Sequence, residues 1–182
     1  MAVFRRRDSS PGLFRHYSQY RPFVREDFAE CCAYCLFHEV LAGGQESFEL
    51  DHFRPQSLQQ FAGLLNDFYN LYYSCHVCNV TKRDRWPGSS QEAAGYGFID
   101  LCSEVFSAHF QEQVDGSWSP LSRKAEYTLD KLRLNRDHLV RIRRYLRDIA
   151  EEKRSPSLDW NIPAKEQIQR LLDGLLEEET TS

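Results

Sequence analysis

Two Cys-x-x-Cys pairs, Cys32 with Cys35 and Cys75 with Cys78, constrain this chain more than any other feature. Two residues between thiolates allow one tight turn to aim both sulfurs at an ion, and two such turns fill a tetrahedral zinc site. Four thiolates leave no position for water, so the spacing predicts a structural zinc that pins both ends of the intervening segment. Such sites supply roughly 10–16 kcal/mol of apparent binding energy in zinc-finger peptides, enough to order a loop-rich stretch. Four cysteines packed as small apolar groups is the competing reading. Cys31 competes with Cys32 as a ligand on poorer spacing, and Cys102, far from both turns, reads as buried packing.

Closely spaced cysteines that bind metal belong to a reducing compartment, and the expectation is a cytoplasmic protein. The opening "MAVFRRRDSSPG" has basic residues but no apolar stretch behind them, so it does not read as a secretory signal. No apolar run reaches the length of about eighteen residues that a membrane helix needs. With 182 residues, 41% of them apolar and 27% charged, the chain can bury a core of its own. Three regions are expected: a basic N-terminal arm over 1–25, a core over 26–90, and a mixed, then helical, extension over 91–182 packed on it.

The segment "FELDHFRP" between the cysteine pairs alternates Phe48, Leu50 and Phe53 with polar neighbours, which predicts a half-buried strand. Adjacent strand residues face opposite ways, so Asp51 and His52 share one site only at a strand end or a distortion. There Asp51 offers a hard oxygen to Mg²⁺ or Mn²⁺, while His52 takes a proton from water. Asn70 is placed to hydrogen-bond across the loop and hold the His52 strand in register. Asn79 follows the second cysteine turn on a short helix that also carries Lys82. A strand pair, a loop and then this helix make a ββα arrangement in an α+β fold.

Elsewhere, "REDFAECC" reads as a short helix, "GFIDLC" as a short strand, and the stretch around Asp115-Gly116 as a hairpin. Leu139, Ile142, Leu146 and Ile149 recur at helical spacing after Asn135, a good N-cap. A break at Ser155-Pro156-Ser157 precedes a last amphipathic helix, "PAKEQIQRLLDGLLEE".

The net charge of −4 does not announce a nucleic-acid binder, but it is unevenly spread. Residues 1–25 hold Arg5, Arg6, Arg7, Arg15, Arg21 and Arg25 against Asp8 alone, and residues 123–147 hold nine Arg or Lys. Such asymmetry fits a local basic footprint on an acidic body, or simply helical faces solvated by charge. Arg143 and Arg147 at i,i+4, with Arg136, are the candidates on the long helix for gripping DNA. Lys82 and Arg83 are placed either to hold phosphates or to end a helix in solvent. Arg54 is placed to clamp a phosphate or to brace Asp51.

The series "CAYC", "ELDHFRP", "NLYYSCHVCN" and Lys82 resembles the HNH (ββα-metal) endonucleases of the four-cysteine zinc branch. The likeness is close over residues 32–85 and looser through "RWP", "GFIDLC" and "LRLNRDHLVRIR", which resemble the flanks of small standalone bacterial HNH proteins. It implies His52 as general base, Asp51 as metal ligand, Asn70 as the middle asparagine and Asn79 at the last, often histidine, position. An amide oxygen there favours Mg²⁺ or Mn²⁺ over Zn²⁺. It further implies DNA as substrate, ends with 3′-hydroxyl and 5′-phosphate, and a place in bacterial antiviral defence beside an ATPase or sensor partner. The alternatives are a non-catalytic zinc-stapled module that binds nucleic acid or protein, and an RNA-directed nuclease.

Overall fold

The computed structural model describes residues 3–152; the final amphipathic helix and the acidic end expected from sequence lie outside them. Strand β1 (Phe48–His52) pairs antiparallel with β2 (Leu71–Cys75) in the register Phe48↔Cys75 through His52↔Leu71. The two are joined by a long loop with short 3₁₀ turns at Gln59–Leu64 and Phe68–Asn70. A two-stranded ribbon is marginal alone. Here β2 is buried along its whole length, sandwiched by α1 (Arg21–Asp27) and α2 (His76–Lys82).

Helix α1 begins earlier and ends earlier than the sequence predicts. Pro22 suits its first turn, where the missing N–H has no partner to lose. After Phe28, Ala29 and Glu30 take left-handed φ of 48° and 61°, which stops the helix and turns the chain into the first cysteine pair. That turn closes through Leu36 N→Cys32 O at 3.0 Å and is tied to β2 by Ala33 N→Tyr73 O at 2.8 Å.

Beyond α2 come α3 (Ser89–Ala93), α4 (Phe106–His109) and a hairpin of β3 (Phe110–Glu112) and β4 (Trp118–Pro120). The segment "GFIDLC" is buried but joins no sheet. Its amide at Ile99 bonds to Thr128 Oγ1, and its Leu101 carbonyl accepts from Phe4 N. Helix α5 (Arg123–Leu132) is capped by Ser122 Oγ and ends at Arg133 in left-handed geometry. In α6 (Asp137–Glu152) the first helical bonds are accepted by Arg136 O, so Asn135 is not the cap. Its amide instead grips both backbone groups of Trp118, at 2.9 and 2.8 Å, and fixes the hairpin.

One apolar cluster runs from Val3 to Leu139. The arginine-rich N-terminus is part of it: Val3 and Phe4 are buried, and Arg6 donates to the carbonyls of Leu71 and Phe68 at 2.6 Å each. Arg6 and Arg7 both pair with Asp27. These two arginines staple the chain start to α1 and β2 instead of reaching into solvent.

Candidate active site and metal centre

The sulfurs of Cys32, Cys35, Cys75 and Cys78 lie within 4.8 Å of one another, and all four residues are buried. Tetrahedral zinc with Zn–S of about 2.3 Å requires sulfurs about 3.8 Å apart; Cys35 and Cys75 are 3.9 Å apart. The donor set and spacing fit zinc. Cys31 stands outside the quartet, where burial pushes its thiol well above the usual range. Arg136 Nη2 donates to Cys78 Sγ at 3.3 Å, bringing a positive charge from the start of α6 to a thiolate centre that stays negative with zinc bound.

Beside this centre a cleft of about 600 Å³ opens between β1 and α2, lined by Glu49, Asp51, His52, Asn79 and Arg83. His52 ends β1, and at that strand end it and Asp51 border the same space. The His52 ring packs edge-on to Tyr17, and its Nε2 meets the Leu65 carbonyl at 2.9 Å. A carbonyl only accepts, so in the neutral ring Nε2 carries the proton and Nδ1 the lone pair. Asn70 accepts from Arg54 N at 2.9 Å and donates to Arg54 O at 3.0 Å, clamping the chain just past His52.

Asp51 is buried, and both of its hydrogen bonds, from the Tyr34 hydroxyl and Lys82 Nζ, fall on Oδ2. Oδ1 remains available. Burial raises its pKa, while Lys82 and Tyr34 pull the other way. Asn79 donates through Nδ2 to Glu49, whose other oxygen meets His76 Nδ1 at 2.7 Å. That bond leaves the Asn79 amide oxygen free. Asp51 and Asn79 both line this cleft, and a carboxylate and an amide oxygen are of the hard kind that Mg²⁺ or Mn²⁺ prefers.

Sequence reasoning missed Glu49 and Tyr34. Glu49 was legible, since it lies two residues before Asp51 on the same strand face. Nothing in sequence pointed Tyr34 from the first cysteine turn to Asp51.

Two expected phosphate contacts are corrected, and a third, Arg147, is engaged within the protein. Lys82 is fully buried, paired with Asp51 at 2.9 Å and donating to His52 O at 2.7 Å. Arg143 is fully buried, its guanidinium 3.6 Å above the Trp118 ring, and burial lowers its pKa to about 10. Arg147 donates to the carbonyls of Gln113 and Val114 at the hairpin tip. Long cationic stems bury well when their heads find carbonyls, rings or carboxylates; Lys82 and Arg143 do so in the interior, while Arg147 is half-buried. Arg54 and Arg83 remain exposed, with Arg54 near the Phe61 ring and not against Asp51. Among the described residues no helix is long and apolar enough to cross a membrane.

A comparison with curated proteins returned no match. Residues 32–85 match the family model described as HNH endonuclease, a span that holds both cysteine turns, β1, β2 and α2. Residues 32–85, with four cysteines gathered into one cluster in an α+β, ββα-metal fold, are thus an HNH endonuclease domain by their family match, and the cluster is consistent with the zinc-binding kind.

Proposed function

We propose that the protein is a divalent-metal-dependent endonuclease that hydrolyses DNA phosphodiester bonds in the cleft between β1 and α2. The observation that supports this reading is the placing of His52: its Nε2 is committed to the Leu65 carbonyl, which leaves Nδ1 to accept a proton, and the residue lines one cleft with Asp51 and Asn79. His52 Nδ1 takes the proton of a water that attacks phosphorus. Asn70, by holding Arg54, keeps the backbone after His52 from drifting, which preserves the alignment that in-line attack requires. Asp51 and Asn79 would hold Mg²⁺ or Mn²⁺, which when bound stabilises the charge developing on the phosphate and the departing 3′ oxygen. Exposed Arg54 and Arg83 contact the phosphates of the bound strand, giving grip without base reading. A role as effector in bacterial defence, beside an ATPase or sensor, rests on the family resemblance. One observation favours a non-catalytic module instead: Lys82 already neutralises Asp51.

Supercoiled plasmid, linear duplex, single-stranded DNA and RNA, incubated with wild type and His52→Ala across several divalent ions, separate these readings. The expected result is plasmid cleavage in Mg²⁺ or Mn²⁺ that falls at least about 100-fold in His52→Ala, with fold and zinc content unchanged. Equal cutting by the variant refutes the assigned base. Cutting confined to RNA transfers the proposal to RNA, and no cutting of any substrate leaves the binding module.

A further inference from the structure

Tyr34 sits inside the first cysteine turn, between Cys32 and Cys35, and is buried. Its backbone is not free to move, because the turn is closed on Cys32 O and bonded across to Tyr73 O. A buried phenol needs a partner, and a carbonyl would have served. Tyr34 instead donates to Oδ2 of Asp51, a residue that lines the cleft and whose Oδ1 has no hydrogen bond among the described residues. Lys82 reaches the same Oδ2 from α2. Two donors converging on one carboxylate oxygen from different elements fix the torsion of the side chain, and with it the direction of Oδ1.

From this geometry we infer that Tyr34 is a positioning residue that couples the four-cysteine centre to cation binding at Asp51. The inference rests on the hydrolytic reading given above. Zinc holds the turn, the turn holds the phenol, and the phenol holds the carboxylate. The structural metal therefore does more than staple the fold: it sets how tightly the neighbouring cleft takes a divalent ion.

The test is Mn²⁺ binding to the full-length, zinc-loaded protein, followed by calorimetry and by electron paramagnetic resonance, with Asp51→Asn marking the ion bound in the cleft. Tyr34→Phe removes one oxygen and keeps the ring. A hydrogen bond to a charged group is worth enough that Mn²⁺ affinity should fall about tenfold, with zinc content unchanged. Tyr73→Phe is the control, since Tyr73 is an equally buried phenol on β2 that donates to Glu39 at 2.7 Å and does not touch Asp51. It should bind Mn²⁺ as wild type does. Should Tyr34→Phe not fold, 4-aminophenylalanine at residue 34 keeps a weaker N–H donor in place and should bind Mn²⁺ less tightly than wild type.

Wild-type affinity in either residue-34 variant overturns the inference, as does an equal loss in Tyr73→Phe. A wild-type protein that takes no Mn²⁺ into the cleft overturns this inference and the hydrolytic reading together. One that binds Mn²⁺ and cleaves DNA, beside an indistinguishable Tyr34→Phe, overturns the inference alone.

Discussion

Lys82 Nζ lies 2.9 Å from Asp51 Oδ2, with both side chains in the interior, the lysine on α2 and the aspartate on β1. The pair bridges helix and strand within the ββα unit, and Lys82 also donates to the His52 carbonyl at 2.7 Å. A positive group expected at the DNA surface is thus an internal strut of the candidate site.

Lys82→Met should cost about 3–5 kcal/mol in denaturant unfolding, because it leaves a buried carboxylate without its counter-charge. Arg83→Ala, one residue on and exposed, should change stability by less than about 0.5 kcal/mol. It should instead reduce the salt slope of DNA binding by about one. A stable Lys82→Met whose only defect is a smaller salt slope would restore the phosphate role.

The zinc centre should respond to ligand and to neighbour differently. Cys75→Ser should lose zinc and soluble expression together, since the metal supplies folding energy. Arg136→Gln removes the donor to Cys78 Sγ while all four sulfurs remain. It should fold, yet bind zinc about 10–100-fold more weakly, measured by competition with a chromophoric chelator. Unchanged zinc affinity would make that contact incidental.

Glu39 gives the acid limb of stability a named source. Arg25 holds it through Nη2 at 2.6 Å and Nε at 3.0 Å, and Tyr73 adds a hydroxyl at 2.7 Å. The Arg25 hydrogen bonds hold its carboxyl below the ordinary value of 4.5. A depressed carboxylate adds stability that is full above the unfolded value and is lost as pH falls through the folded one. Unfolding free energy should therefore drop as pH falls below about 4.5, and Glu39→Gln should flatten that drop while lowering stability at neutral pH by about 1–3 kcal/mol, since Arg25 keeps Glu30 as a partner. Denaturant titrations across acid pH on both proteins check this.

Gly116 turns the β3–β4 hairpin with φ of 87°, and a Cβ there would lie 2.4 Å from Val140 O and 2.8 Å from Arg144 N. The hairpin tip rests directly on the backbone of α6. Gly116→Ala should destabilise by about 1–3 kcal/mol, from overpacking and positive φ together. A melting temperature equal to wild type would mean the hairpin lifts off α6 freely.

Much of the candidate site was legible in sequence for local reasons. Two-residue spacing between cysteines dictates a turn, alternation around Asp51 dictates a strand, and Asp115-Gly116 dictates a hairpin. Where local signals conflicted with packing, packing won. Asn135 looks like a helix cap, but its amide is taken by Trp118. "GFIDLC" looks like a strand, but its amides at Ile99, Asp100 and Cys102 bond to the side chains of Thr128, Glu104 and Asp100 without a ladder.

By itself the sequence determined the clustered cysteine turns, strand β1 and the helix that follows the second turn, because each follows from spacings of a few residues. Only the tertiary structure decided where the positive charges go. Arg6, Lys82, Arg136, Arg143 and Arg147 read alike as basic surface, yet their heads end on Asp27, Asp51, Cys78, Trp118 and the Gln113 carbonyl. A long cationic side chain is buried or exposed according to partners distant in the chain, and no local pattern records them.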